Sequence, residues 1–561
     1  VVRAIVLLAI AYGLTLPLYD LLAYPDRVSV LPNLQADAEA YYSIGRTIAT
    51  DWNLDAFPIR HPPGWIGLLA LVFSIGGASF VAGKLISWVA LVATVIGCAW
   101  LARRIYGPTA GWIAALVTAT SPALRGYVGT VQYEVFTGAL LLALVMLAVG
   151  VIESSDRDRR RRVLWVGLAG GALILTRETF AVVVPLVAAW IGHQLGPRTT
   201  RRTAVVTALT ISGLALAPAI VWSAMQSVRH GSFVTISEKG PLGIELGHNP
   251  LANGTYNAPL VGIGQPTGLA FAVRNPGREV VLSARKVLYF WGVLRDGWNV
   301  PRPAAVWLWR ATTGIVPFEL FDALARGGWL LALFVTALLL LGRPGLARWW
   351  GIAGIVMLLM VVHIITLSSH RYAVPVLPLV FVFVSGPIAK LASHLQPLFR
   401  SRAIVAACVV LLAITTAMQF QHWPLRMRMS AADLEGLLGE NVEDNVAGHV
   451  VRVADAARGV RPVALLSDHY FARGAIQATL AARRLAEPPN PAAPALRMSV
   501  VDLSGHAACT TDVLAGELAA DRFHPIRMTC HLPTDRVATL AVFSLGVVDL
   551  ALDDVSLEWM R

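Results

Sequence analysis

Three short clusters of acidic, basic and aromatic residues carry most of the chemistry this sequence can offer. The first is Asp37-Ala38-Glu39-Ala40-Tyr41-Tyr42, followed after a variable stretch by Arg60-His61-Pro62-Pro63. The second is Gln132-Tyr133-Glu134, with Arg125 before it and Arg177-Glu178 after it, and the third is His370-Arg371-Tyr372. A carboxylate at the edge of an apolar run can accept a proton, and an isolated guanidinium can hold an anion such as phosphate. Each residue also has a structural reading. Asp37 suits a helix N-cap ahead of the amphipathic stretch 38–49, Arg177 could pair with Glu178, and Glu134 could neutralise Arg125. His61 and His370 could serve as local hydrogen-bond partners.

The elements that position these residues follow from composition. Of 561 residues, 56% are hydrophobic and only 14% charged, and the mean hydropathy is +0.62, far from the balance of a soluble domain. The net charge of +12 is explained by basic clusters beside apolar runs, at Arg103-Arg104, Arg157 with Arg159 to Arg162, Arg198 with Arg201-Arg202, Arg343 with Arg348, and Lys390 with Arg400 and Arg402. That is the positive-inside pattern of cytoplasmic turns and not a nucleic-acid footprint.

Loop parity then predicts a polytopic α-helical membrane protein with about eleven transmembrane helices. The expected spans are 4–23 (a retained anchor), 80–102, 108–126, 131–152, two short helices within 163–195 meeting at Arg177-Glu178, then 203–226, 328–342, 349–368, 373–389 and 403–420. The stretch 62–77 reads as an interfacial or re-entrant helix, because a second crossing there would invert every later basic cluster. The amino terminus falls inside. The loops 24–79 and 227–327, the turns at Arg125, Arg177 and His370-Arg371, and the tail fall outside, so all three clusters share one face.

This divides the chain into a transmembrane domain, 1–423, and an external domain, 424–561. Short β-like runs at Val463, Met498 and Ala538 and a helical patch at 475–485 give the tail the look of a small α/β domain. Cys509 and Cys530 lie in it, either as a disulfide or as two unrelated thiols. In the second loop, Arg278 to Trp298 has the stripe Val280, Val287, Trp291, Leu294 and Trp298 of an interfacial helix. Its Lys286 could contact phosphate or lipid headgroups.

The acidic start of an aromatic helix, then Arg60-His61-Pro62-Pro63-Gly64-Trp65, resembles the first external loop of the glycosyltransferase C superfamily, whose members include the protein O-mannosyltransferases and lipid A aminoarabinose transferases. Gly231 to Val234, Glu245 through His248-Asn249-Pro250 with Gly254, and His370-Arg371-Tyr372 with Pro375 and Pro378 are similar to later loops of bacterial relatives. The resemblance implies an enzyme of the cytoplasmic membrane that moves a sugar from a polyprenyl-phosphate donor to a glycan, lipid or protein acceptor on the outer, periplasmic face. A lipid-borne donor is also what physics requires where nucleotide sugars are absent. Its leaving phosphate needs fixed cations and its acceptor hydroxyl a base.

On this reading Asp37 is the general base, with Glu39 and Glu134 as further candidate catalytic carboxylates. The family often has adjacent acids here, whereas Ala38 separates Asp37 from Glu39. Arg60, His61, Arg177, Lys286, His370 and Arg371 are candidates for the donor phosphate. Tyr41, Tyr42, Glu245, His248, Asn249 and Tyr372 are candidates for sugar or acceptor, although turn chemistry explains Asn249 equally well. A divalent cation, if one is used, would fall to Asp37 and Glu134. The sequence has no Walker A loop, no Gly-x-Ser-x-Gly elbow and no His-Glu-x-x-His motif, and Asp156-Arg157-Asp158 sits in a basic turn as a solvated loop. The rival readings are a lipid-linked oligosaccharide polymerase or ligase and a transporter or flippase. The last is disfavoured because inverted repeats are lacking and the polar candidates cluster outside the midplane.

Overall fold

The computed structural model describes residues 2–23, 25, 35–52, 56–58, 61–237, 239–249, 252, 254–255, 268–294 and 328–395, and then 426–430, 440–444, 446–447, 449–454, 456, 461–471, 474–502, 507–532 and 536–560. The expected span 403–420, the expected boundary at 423, Arg60 and residues 295–298 lie outside the described residues. The chain divides into two compact units, residues 1–415 and 416–561.

Long apolar runs with few interior charges make most of the first unit helical. Its elements are α1 (Val2–Ala23), α2 (Gln35–Asp51), α3 (Pro63–Gly76), α4 (Phe80–Tyr106), α5 (Pro108–Thr120), α6 (Pro122–Val128), α7 (Glu134–Ile152) and α8 (Asp156–Thr176). There follow α9 (Val183–Leu195), α10 (Arg201–His230), α11 (Lys239–Gly247), α12 (Gly268–Arg274), α13 (Pro276–Phe290), α14 (Trp329–Ile365), α15 (His370–Ala373) and α16 (Leu377–Leu395). Among the described residues, six helices are long and apolar enough to cross a membrane: Phe80–Tyr106, Glu134–Ile152, Glu178–Leu195, Arg201–His230, Trp329–Ile365 and His370–His394. Exposed Leu209, Ile220 and Val221 give α10 an apolar outer face of the kind that lipid covers.

Local chemistry sets the boundaries. Ser79 caps α4 by accepting from the Ala82 amide at 3.0 Å, and Arg103 and Arg104 close its last turn, where a helix end favours cations. Within α14, Gly342 leaves helical geometry two residues before Pro344, which separates the two spans expected at 328–342 and 349–368. Helix α3, with 14 residues, is about 21 Å long, short of the hydrocarbon thickness. It buries Trp65, Ile66, Leu69 and Phe73 in a cluster shared with Ala38, Tyr41 and Tyr133, so it serves as a floor under α2. α7 packs against α4, α8 and α9, which holds its first turn, bearing Glu134, in a fixed place.

The second unit is a sheet domain, which corrects the expected α/β arrangement. One antiparallel sheet has the order β2 (Glu440–Asp444), β3 (His449–Ala454), β10 (Leu550–Met560), β5 (Gly474–Arg484), β8 (His524–Leu532), with β1 (Arg426–Ser430) also on β10. The other is β4 (Arg461–Phe471), β9 (Arg536–Ser544), β6 (Pro494–Asp502), β7 (Ala507–Leu514). The β-like runs at 463, 498 and 538 fall on β4, β6 and β9. The helical patch expected at 475–485 is instead strand β5, paired on both sides with β8 and β10; its Ala and Arg content favours helix locally, but pairing and burial of Ala478, Leu480 and Ala482 decide otherwise. Both sheets contribute to one core, Leu480 and Leu552 from the first with Leu496, Met498 and Leu540 from the second. Cys509 on β7 and Cys530 on β8 form a disulfide, with Cα atoms 5.7 Å apart.

Candidate active site

Arg371 gathers the site. It sits in α15, whose start is capped by Ser369 Oγ accepting from the Arg371 amide at 3.1 Å. Its guanidinium donates from Nε to Glu134 Oε1 at 2.6 Å, from Nη1 to Asp37 Oδ2 at 2.8 Å and from Nη2 to Gln132 Oε1 at 2.9 Å. All three nitrogens are therefore engaged, which only the planar fork of arginine allows. The Arg371 side chain is 7% exposed, that of Glu134 is fully buried and that of Asp37 is 34% exposed. Among the described residues two carboxylates face the Arg371 guanidinium, and Asp37 is the solvent-facing end of the cluster. Glu134 Oε2 is buried with no hydrogen-bond partner among the described residues, a costly state for a carboxylate oxygen unless a ligand or water uses it.

A column of rings flanks this cluster. The Arg177 guanidinium lies between Tyr372, 4.8 Å from its ring centroid, and Tyr133, 5.9 Å away. Tyr372 stacks on His363 at 4.7 Å, nearly parallel; Tyr133 meets Tyr41 edge-on at 5.7 Å, and Tyr41 meets His61 at 4.9 Å. Burial, then the neighbouring Tyr133 and Asp37, hold the Tyr41 phenol well above its ordinary range and so protonated. Arg177 is 7% exposed, yet among the described residues its guanidinium makes no hydrogen bond or ion pair; the alternative pairing with Glu178 is not formed. Its N–H groups are donors held in place by two aromatic faces.

The structure thus brings Asp37, Glu134, Arg177, Arg371, Tyr41, His61 and Tyr372 together. Glu39 is exposed on α2. Tyr42 packs on Phe73 and Phe80, beside an open cavity of about 380 Å³ lined by Tyr42, Ser43, Arg46, Thr47 and Thr50 that does not include the cluster. Lys286 and His248 meet each other in a separate buried group, with Nζ to Nε2 at 3.1 Å. Asn249 donates back to the Glu245 and Leu246 carbonyls, ordinary turn chemistry, and Glu245 is exposed. His370 Nδ1 lies 3.3 Å from the Phe290 carbonyl.

Sequence reasoning missed Gln132, an uncharged residue, and Lys84, fully buried near the start of α4. A lone lysine inside an apolar run was the available signal for the latter. Its neighbour Ser87 donates to the Gln132 carbonyl at 3.2 Å, which ties this turn of α4 to the cluster. Among the described residues no group of three or more His, Cys, Asp or Glu stands ready for a metal ion; Arg371 lies between the two carboxylates where a cation would have to bind.

Residues 60–222 match the family described as dolichyl-phosphate-mannose-protein mannosyltransferase. No curated protein matches the chain. Among solved structures, ArnT from Cupriavidus metallidurans bound to undecaprenyl phosphate is similar with a TM-score of 0.43 and 16% identity, over 71% of this chain and 63% of that one. The Archaeoglobus fulgidus oligosaccharyltransferase tethered with an acceptor peptide gives 0.41 and 12%, over 73% and 53%, and the arabinosyltransferase EmbB from Mycobacterium smegmatis gives 0.31 and 11%, over 99% and 64%. The chain spans less than two thirds of the length of each. Residues 60–222, which carry His61, Glu134 and Arg177, are thus similar to a family of the glycosyltransferase C type, as the resemblance read from the sequence implied.

Proposed function

We propose that this protein is a membrane glycosyltransferase that takes a sugar from a polyprenyl-phosphate donor and delivers it to a hydroxyl acceptor at the outer face of the cytoplasmic membrane. The observation that carries this reading is the pairing of a carboxylate cluster organised by Arg371 with the Arg177 guanidinium, whose donors have no protein acceptor among the described residues. The first supplies a base and the second an anion site, the two groups that the transfer needs.

In the proposed reaction the acceptor oxygen attacks the anomeric carbon while the bond from that carbon to the phosphate oxygen breaks. The electron pair leaves with the lipid phosphate, and Arg177 neutralises the charge that develops there. Asp37 takes the hydroxyl proton. Arg371 does not clamp phosphate in this scheme; its three donors fix Asp37 and Glu134 at the reacting edge. Tyr41, held protonated, and Tyr372 line the same edge as sugar contacts. The family match over residues 60–222 supports the assignment, and the undecaprenyl phosphate named with the Cupriavidus metallidurans protein suggests the donor lipid.

The test is to incubate the purified full chain in nanodiscs with a panel of undecaprenyl-phosphate sugars and with cell-envelope acceptors, and to identify products by mass spectrometry. Consumption of one donor with appearance of a glycosylated product is the expected result. Binding of those lipids without consumption of any, or movement of them across the bilayer instead, would sink the enzyme reading.

A further inference from the structure

The buried group formed by Lys286, His248 and Glu279 has no place in the reaction above, although the sequence offered Lys286 as a phosphate ligand and His248 as a sugar ligand. Its contacts point elsewhere. Lys286 Nζ donates to the carbonyls of Ile364 at 3.0 Å and Thr366 at 2.6 Å. His248 Nε2 meets the carbonyl between them, Ile365, at 2.7 Å, while its Nδ1 meets Glu279 Oε2 at 2.7 Å. These three carbonyls lie at the end of α14, where a helix leaves acceptors unsatisfied and its dipole favours a cation. Lys286 is fully buried, and burial, opposed by Glu279, lowers its ammonium to about 8.

The docking continues residue by residue toward Arg371. The Ser368 amide donates to the Gly254 carbonyl at 3.1 Å, and His370 Nδ1 reaches the Phe290 carbonyl. Two glycines permit the approach. A Cβ on Gly247 would stand 2.7 Å from the Thr366 carbonyl carbon, and one on Gly292, whose φ is +70°, would stand 2.8 Å from His370 Nδ1. Loop residues from α11 to the end of α13 therefore grip 364–370, and Arg371 follows directly.

We infer that Lys286, His248 and Glu279 are positioning residues, a latch that fastens the second external loop to the end of α14 and so fixes the turn from which Arg371 reaches Asp37 and Glu134. The inference rests on the proposed role of Arg371 for its functional meaning, but the latch itself is independent of any substrate. Donor phosphate is not its ligand.

The experiment uses the full chain in nanodiscs with Lys286→Met and the milder Glu279→Gln, which keeps shape and loosens His248, in case the first fails to fold. Hydrogen exchange over 364–372, run without substrate, is expected to rise at least about tenfold in either variant, with exchange in the second unit unchanged. Affinity for undecaprenyl phosphate is expected to stay within about twofold while turnover falls about tenfold or more, a kcat effect of the kind misplaced catalytic groups give. Unchanged exchange over 364–372 overturns the latch, as does a roughly tenfold loss of undecaprenyl phosphate affinity with that segment still protected. Should the wild type transfer no sugar at all, the proposed function fails while the exchange result still decides the latch.

Discussion

Arg371 in the helical unit and Arg483 in the sheet unit are both largely buried arginines held by carboxylates, and they differ in how the charges close. Arg483 meets one acid, Asp444, through Nη2, and gives Nη1 to the Ala520 carbonyl at 2.9 Å. Asp444 in turn accepts the Val446 and Ala447 amides at 2.8 and 3.0 Å. Among the described residues this is one cation to one anion, with Nη1 and the Asp444 oxygens engaged by the local backbone and Arg483 Nε buried without a hydrogen-bond partner. Arg371 has two acids and an amide, one acid a third exposed, and a carboxylate oxygen left over. A closed pair ties two strands together. A cluster that joins several acceptors to one arginine and leaves one carboxylate exposed is what a reactive site requires.

The comparison breaks most sharply at Asp37. Asp37→Asn keeps the shape and a weaker contact to Arg371 but removes the proton acceptor, so transfer is expected to fall about 10²- to 10⁴-fold. Hydrogen exchange across α2 and α7 should stay near wild type. Retention of transfer in a folded Asp37→Asn protein would remove the proposed base and leave Arg371 as a structural tie like Arg483.

Replacing each arginine by lysine sharpens the same contrast. A lysine at 371 carries its three donors on one nitrogen and cannot reach acceptors spread around the guanidinium fork, and the resulting shift of Asp37 should cost transfer about a hundredfold. Arg483→Lys keeps its single ion pair and should leave transfer at the wild-type rate. Equal effects of the two substitutions in the donor-consumption assay would show that the open geometry of the first cluster is without consequence.

Much of this site was legible before any coordinates. Asp37, Glu134, Arg177 and Arg371 stand out because charge at the end of an apolar run is expensive and, for arginine, because each falls at a turn away from the basic clusters. Their partnership was not legible: Arg371 lies 334 residues from Asp37 and 237 from Glu134, and spacing along a chain carries no record of which helices pack together. Gln132 has no charge to betray it, and Glu279 reads as an ordinary first-turn acid of α13. The expected span 108–126 is broken at Ser121 into a 13-residue helix and a 7-residue one. Among the described residues, helices long and apolar enough to cross match the expected spans at 80–102, 131–152, 203–226 and 373–389, the second half of 163–195 and, as one kinked helix, 328–368. These were visible as apolar runs near basic clusters. Strand β5 was not, because the alanine-rich run Gly474 to Arg484 carries a local preference that two neighbouring strands override.

A smaller effect is expected at Arg177. Arg177→Met removes the anion site while leaving the space between Tyr133 and Tyr372 filled by an apolar chain of similar length. Loss of a charge-assisted contact should weaken undecaprenyl phosphate binding about 10- to 100-fold. Asp37→Asn, by contrast, should bind it normally, so that donor binding and proton transfer separate between the two residues. Unaltered binding in Arg177→Met would move the phosphate site elsewhere, with buried Lys84 the next residue to test.

The smallest effect belongs to the closed pair and reports on stability alone. Burial opposes it, but the Arg483 hydrogen bond and the two backbone amides hold the Asp444 carboxyl below its usual range. A carboxyl lowered on folding contributes stability that is complete above its unfolded value near 3.9 and disappears as pH falls through its folded value. Asp444→Asn should therefore lower the unfolding midpoint of the sheet unit by roughly 3–6 °C at pH 7, read as lost hydrogen-exchange protection in β2 and β5 of the full chain. The gap between variant and wild type should close as pH is taken below about 4. Transfer at neutral pH should be unchanged. A gap that persisted in acid would mean that Asp444 acts through its shape and not its charge, and the two arginine sites would then differ in chemistry as well as in closure.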